Sequence, residues 1–380
     1  MSTKIQSLET IASALVADGK GILAADETVA TLTKRFEKLK ILSTAESRRD
    51  YREMLFTAPG SADFISGIIM YDETIRQRSS NGTPVPEILS KHGTIPGIKV
   101  DTGAKPLAGS ESETVTEGLD GLRDRLTDYR AMGARFAKWR AVIRITDRLP
   151  SRTCVSVNAH ALGRYAALCQ EQELVPIVEP EVLMEGDHTI ERCDEVTGQV
   201  LHAVFNALYE QKVLLEGMLL KPNMIVSGNA CPMQASVTDV ADATLQCLLR
   251  HVPASVPGVV FLSGGQSDVT ATAHLNEINT RARAAPWRIS FSYGRALQDL
   301  ALATWLGNKD NDQAAQQAYY HRARCNAAAT LGKYTAAMEN ELTGKIAKGY
   351  RSEGEDDRSG VEQRWLLSSP KPLSEEDRTF

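Results

Sequence analysis

Charged residues recur at the ends of short apolar runs, where a buried charge is costly unless it is paired or used. Asp26 closes GILAAD at 21–26, Lys99 lies in GIKVD at 97–101, and Lys138 and Arg140 lie in FAKWRAVI at 136–143. Glu179 and Glu181 lie in PIVEPEVL at 176–183, and Lys221 in LLKPNMIV at 219–226. Residues two apart on a strand face the same side, so Lys138 pairs its direction with Arg140 and Glu179 with Glu181. The alternative for each pair is an interior ion pair that closes a core, and for each residue alone a strand-end charge reaching solvent. Pro180, between the two glutamates, cannot donate to a central ladder and suggests that its strand ends there.

Two further segments have the character of anion sites. FLSGGQS at 261–267 presents Ser263, Gly264 and Gly265 before a helical stretch, and SYGRA at 292–296 presents Ser292, Gly294 and Arg295. Such turns expose backbone N–H groups at a helix N-terminus, and Arg295 adds a planar fork of donors.

The elements that must hold these residues repeat. With FISGIIM at 64–70, GVVFLSG at 258–264 and WRISFSYG at 287–294, there are eight apolar runs at intervals of about 30 to 45 residues, enough for a crossover helix each time. HALGRYAALCQ at 160–170, QVLHAVFNALYEQ at 199–211 and DVADATLQCLLRHV at 239–252 have helical spacing. The alternation predicts an α/β fold, a single (β/α)8 TIM barrel with an N-terminal helix and a C-terminal tail; a doubly wound open sheet is the rival. The charged residues then gather at the C-terminal ends of the strands, where barrel loops build active sites, and the turns after strands seven and eight fall at the usual phosphate position. The barrel is expected over 1–345. The stretch 346–380, rich in charge, Ser, Gly and Pro with an apolar island at Trp365 to Leu367, is expected to be a flexible tail that docks locally.

Composition excludes several classes. A net charge of -5 and the absence of aromatics within a basic patch leave no nucleic-acid footprint. The six cysteines form no C-x-x-C pair, the histidines show no ligand spacing beyond a loose His188–Cys193 approach, and no metal is expected. Neither a signal peptide nor a membrane span is legible, so the expected location is cytoplasmic.

Taken in order and spacing, GKGILAADET, GIKVDTG, FAKWRAVI, PIVEPEVL, LLKPNMI, FLSGGQS and FSYGRALQ resemble the class I fructose-bisphosphate aldolases over about Leu8 to Tyr334. The resemblance implies reversible cleavage of fructose 1,6-bisphosphate to dihydroxyacetone phosphate and glyceraldehyde 3-phosphate, in glycolysis and gluconeogenesis, with no metal or other cofactor. It also implies small sugar phosphates as the only ligands and a homotetramer. It makes Lys221 the Schiff-base lysine, Glu179 the acid/base that dehydrates the carbinolamine, and Asp26 the base at the C4 hydroxyl. Lys138 is the charge beside Lys221, with Glu181 as its hydrogen-bonding partner. Ser263, Gly264, Gly294 and Arg295 take the C1 phosphate, Lys99, Arg35 and Thr31 the C6 phosphate, Gly265 and Ser292 are further phosphate contacts, and Arg48 and Arg140 are further basic positions. Sedoheptulose 1,7-bisphosphate or fructose 1-phosphate is the alternative substrate, and a non-catalytic scaffold the alternative class.

The chemistry fits those residue types. A free lysine has a pKa of about 10.4, so about one in 2,500 is neutral at pH 7. A second ammonium at about 4 Å opposes its charge by about 4 kcal/mol at an effective dielectric of about 20. Lys138 is expected to act this way, with Glu181 favouring a protonated Glu179. Three features depart from the family pattern: Thr28 and Thr31 stand where Ser is usual, Val29-Ala30 replaces Thr-Gly, and the last residue is Phe380 where a functional Tyr is common. A phenyl ring cannot relay a proton, so another group is expected to return the C3 proton while the tail covers the site or an interface.

Overall fold

The computed structural model describes residues 2–282 and 284–341; the expected tail, with Trp365 to Leu367 and Phe380, lies outside them. The compact unit is Met1–Met338. Its strands in chain order are β1 (Gly21–Ala25), β2 (Ile65–Met70), β3 (Ile95–Lys99), β4 (Gly103–Pro106), β5 (Thr114–Glu117), β6 (Phe136–Ile143), β7 (Val175–Val182), β8 (Leu219–Leu220), β9 (Gly258–Phe261) and β10 (Arg288–Tyr293). Eight of them close into a barrel in the order β1-β2-β3-β6-β7-β8-β9-β10, each pair parallel, while β4 and β5 form an antiparallel hairpin. The barrel therefore wins over the open sheet.

The helices are α1 (Ser2–Leu15), α2 (Val29–Lys38), α3 (Ala45–Phe56), α4 (Asp72–Arg76), α5 (Val85–Lys91), α6 (Leu122–Ala131), α7 (Arg152–Glu171), α8 (Ile190–Glu210), α9 (Val237–His251), α10 (Asp268–Arg281), α11 (Arg295–Trp305) and α12 (Asp312–Thr330). Among the described residues, no helix is long and apolar enough to cross a membrane.

Two-residue periodicity builds the site. One face of each barrel strand points inward, and the inward residues are apolar at the bottom: Ile22, Ala24, Phe136, Val175, Ile177 and Leu219 pack on Leu8, Ala12 and Leu15 of α1, which plugs that end. One step up the same faces come Asp26, Lys138, Glu179 and Lys221, all buried. Gly97 of β3 is required by this packing, because a Cβ there would sit 2.2 Å from the Phe136 ring.

Two local expectations are corrected. Pro180 lies inside β7, which runs on to Val182. Val178 and Val182, two residues either side, bond towards the β8 side, accepting from Lys221 N and donating to Asn223 Oδ1. Pro180 faces that side too, where β8 has already ended, so its missing N–H breaks no rung. The run 219–226 is strand only at Leu219–Leu220. Pro222 cannot donate, and the Asn223 side chain takes over the contact to β7.

Candidate active site

Four strands deliver one chain of charges to the barrel mouth. Lys138 Nζ lies 2.7 Å from Asp26 Oδ2 and 3.0 Å from Glu179 Oε2, and Lys221 Nζ lies 3.1 Å from Glu179 Oε1. The lysines and Glu179 are 4% exposed at their side chains and Asp26 11%, so water screens these pairs little.

Burial and charge act on each group in opposite directions. Burial pushes the Asp26 carboxyl up, but Lys138 and then Lys221 outweigh it and hold its pKa at about 2. Burial also opposes ionisation of Glu179, and Lys138, Lys221 and Arg140 together hold it below the usual range. Burial opposes the charge of Lys138, yet Asp26, Glu179 and Asp101 raise it above an ordinary lysine. Lys221 goes the other way: burial lowers it, Glu179 resists, and Lys138 adds to the lowering. The result is one lysine locked as ammonium beside a second that gives up its proton readily.

This differs from the expected arrangement in three respects. Glu181 does not partner Lys138; it pairs with Arg140 Nε, across the β6–β7 edge. Glu179 is not kept protonated by Glu181, because Lys138, Lys221 and Arg140 together outweigh its burial. Desolvation, more than Lys138, lowers Lys221.

The anion positions are assembled by β9, β10 and α11. Gly264 and Gly265 take φ of +64° and +143°, conformations that favour glycine, and Gly265 N donates to Ser263 O at 2.9 Å. Ser292 is buried, and its Oγ has no hydrogen-bond partner among the described residues. Gly294 caps α11 without a side-chain bond, which leaves N–H groups open at that N-terminus. Arg295 is exposed, and its Nη2 donates to Gly264 O at 3.2 Å. Three residue types thus converge where a phosphate can bind.

The remaining positions are occupied by neighbours. Lys99 pairs with Asp101 and donates to its carbonyl at 3.1 Å. Thr31 N donates to the Thr28 cap at 3.2 Å, and the two hydroxyls lie 3.0 Å apart. Arg35 pairs with Glu27 and, at 2.8 Å, with Asp299. Arg48 donates to Glu73 at 2.9 Å. Arg35 and Arg48 are therefore engaged with carboxylates, not free at the mouth. Sequence reasoning missed Asp101, whose Oδ2 also accepts from Arg140 N at 3.2 Å. It also missed Gln298, fully buried, whose Nε2 donates to Ala24 O at 2.7 Å and Glu27 Oε1 at 3.0 Å. The signal was available for Asp101, which sits two residues beyond Lys99, but Gln298 has no neighbour in sequence that marks it.

Comparison with known proteins agrees with this geometry. A family model described as fructose-bisphosphate aldolase class-I matches residues 7–351. The probable fructose-bisphosphate aldolase class 1 of Xanthomonas campestris is 56% identical, covering 87% of this chain and 99% of that protein. The fructose-bisphosphate aldolase B of Gallus gallus is 49% identical, covering 88% of this chain and 93% of that protein. A solved fructose-bisphosphate aldolase from Plasmodium falciparum, in a ternary complex with TRAP and a small-molecule inhibitor, superposes with a TM-score of 0.87 at 46% identity, covering 88% of this chain and 97% of that one. With a family model spanning nearly its whole length and a closed eight-stranded barrel, the chain belongs to the class I fructose-bisphosphate aldolase family.

Proposed function

We propose that this member of the family, a carbon–carbon lyase acting on fructose 1,6-bisphosphate, forms its covalent intermediate on Lys221 and needs no metal. The observation that carries the reading is the Glu179 carboxylate with Lys138 on one oxygen and Lys221 on the other.

Neutral Lys221 Nζ attacks the C2 carbonyl of the open-chain ketose. As the C–N bond forms, the nitrogen sheds a proton to Glu179 Oε1. The C2 alkoxide takes one proton from solvent to become the carbinolamine hydroxyl, and the protonated Glu179 then gives its proton to that hydroxyl, which leaves as water and gives the iminium. Glu179 is thus loaded with a proton during the reaction, consistent with its ionised resting state. Lys138 stays an ammonium and stabilises the developing oxyanion.

Asp26, ionised with a pKa of about 2, takes the C4 hydroxyl proton. The C3–C4 bond breaks, its electrons pass into the iminium to form an enamine, and the aldehyde leaves. Protonation at C3 and hydrolysis release dihydroxyacetone phosphate. Ser263, Gly264, Gly265, Ser292, Gly294 and Arg295 hold the C1 phosphate, and Lys99 with Thr31 the C6 phosphate, so that binding at both ends orients the reacting carbons. Arg140 orders Glu181 at the rim. Arg35 and Arg48 shape the mouth from behind it.

The test is reduction with borohydride in the presence of dihydroxyacetone phosphate, followed by peptide mapping. The adduct is expected on Lys221, and activity is expected to survive chelators. Label on Lys138, or loss of activity with the metal, refutes the reading. A cytoplasmic homotetramer completes the proposal. The described cysteines are all unpaired and buried, as suits a reducing compartment, and light scattering on the purified protein checks the assembly.

A further inference from the structure

Behind β1 lies a second set of charges that the reaction itself does not use. Arg48 and Arg52 stand four residues apart on α3, so they share a face, and both reach Glu73 of α4: Arg48 by hydrogen bonds, Arg52 Nη1 at 3.5 Å. On its other side Arg52 Nη2 donates to the backbone carbonyl of Glu27 at 2.7 Å. The Glu27 side chain pairs with Arg35, and Arg35 with Asp299 of α11. Charges therefore alternate from α11 to α4, and the chain passes within one residue of Asp26.

Arg52 is the least expected member. Its residue is 1% exposed, and its Nε and Nη1 have no hydrogen-bond acceptor among the described residues. An orphaned buried donor costs about 1–3 kcal/mol, so a guanidinium in this position is a poor way to stabilise the fold. What it does hold is the carbonyl immediately after Asp26. Gln298 holds the carbonyl two residues before it, Ala24 O at 2.7 Å. The turn that carries the carboxylate is gripped at both ends.

We propose that Arg52 is a positioning residue for C3–C4 bond cleavage: by fixing the Glu27 carbonyl it sets the Asp26 carboxylate against Lys138 and the C4 hydroxyl. The proposal rests on the reading of Asp26 as the base. Burial lowers the Arg52 guanidinium, and Glu27, Glu73 and Asp26 oppose that lowering, so Asp26 is close enough to feel its charge.

The consequence is selective. Dihydroxyacetone phosphate has no C4 hydroxyl, so its Schiff base and its C3 hydrogen exchange do not require Asp26. Replacing Arg52 leaves no buried carboxylate alone, because Glu73 keeps Arg48 and Glu27 keeps Arg35; the variants are therefore expected to fold.

The experiment measures kcat and KM for fructose 1,6-bisphosphate cleavage, and deuterium exchange at C3 of dihydroxyacetone phosphate, in the full chain. Arg52→Met is expected to lower kcat by about 10- to 100-fold, the scale of a displaced catalytic group, with KM and exchange nearly unchanged. Arg52→Lys should fall between it and the unsubstituted chain, because one ammonium reaches Glu27 or Glu73 but not both. Cleavage and exchange falling by the same factor, or cleavage unaffected, overturns the proposal, and Arg52→Lys decides alone if Arg52→Met does not fold. Asp26→Asn is the benchmark. If it spares cleavage, the base reading falls and this proposal with it; if it shows the selective loss and the Arg52 variants do not, the positioning role alone is wrong.

Discussion

Lys138 and Lys221 are bridged by one carboxylate, Lys138 at 3.0 Å from Glu179 Oε2 and Lys221 at 3.1 Å from Oε1. Lys138 also has Asp26, at 2.7 Å, and the described ion pairs give Lys221 no second carboxylate. That asymmetry sends the two ammonium groups in opposite directions, although both are buried.

Removing Lys138 tests the asymmetry. Burial is the largest cause of the lowered Lys221, and Lys138 adds to it. In Lys138→Met the added repulsion is gone, so the Lys221 pKa should rise. The rate of borohydride trapping near pH 7 should therefore fall, and recover as pH increases. A trapping profile that stays in place or moves to lower pH would show that Lys138 does not act on Lys221.

The phosphate assignments predict a substrate split. Arg295→Ala should weaken fructose 1-phosphate and fructose 1,6-bisphosphate alike, through the shared C1 phosphate. Lys99→Ala should raise KM for the bisphosphate alone, by about 10- to 100-fold for a lost charge-assisted bond of about 1.5–3 kcal/mol. Steady-state kinetics on both ketoses distinguish the two ends; equal losses in both variants would break the division.

The barrel was legible because its inward strand faces are apolar below and charged above, a pattern that survives without coordinates. FAKWRAVI is β6 residue for residue. The β4–β5 hairpin was not legible: Gly103–Pro106 is exposed or half-exposed throughout and offers no apolar alternation. It is held instead by Thr116 Oγ1 donating to Arg140 O at 2.8 Å. The identities of the charged residues were readable, but their partners were not. Glu181 lies equally near Lys138 and Arg140 in strand count, and only the barrel's register decides for Arg140. Arg52 and Gln298 act on carbonyls 25 and 274 residues away, which no local pattern records.

Gly264 should tolerate no side chain. Its φ is +64°, and an added Cβ would lie 2.6 Å from Met184 Sδ. The left-handed conformation costs a non-glycine residue about 1–2 kcal/mol, and the thioether must shift as well. Gly264→Ala should therefore raise KM for both ketoses while far-ultraviolet circular dichroism stays the same. An unchanged KM would remove this loop from the phosphate site.

Asp26 links catalysis to acid stability. Its pKa in the folded chain, about 2, lies below the ordinary value of 3.8. Burial disfavours the charge, and the two lysines more than compensate. A depressed carboxylate stabilises the fold at pH values above its unfolded pKa, and that contribution disappears as pH falls from about 4 to about 2. Asp26→Asn never carries the charge and leaves Lys138 with Glu179 alone. It should be less stable than the unsubstituted chain near pH 7, and the gap should close between about pH 4 and pH 2. Urea unfolding midpoints across that range measure it. A gap that is constant with pH would mean that the lost stability comes from packing and not from the Asp26–Lys138 pair.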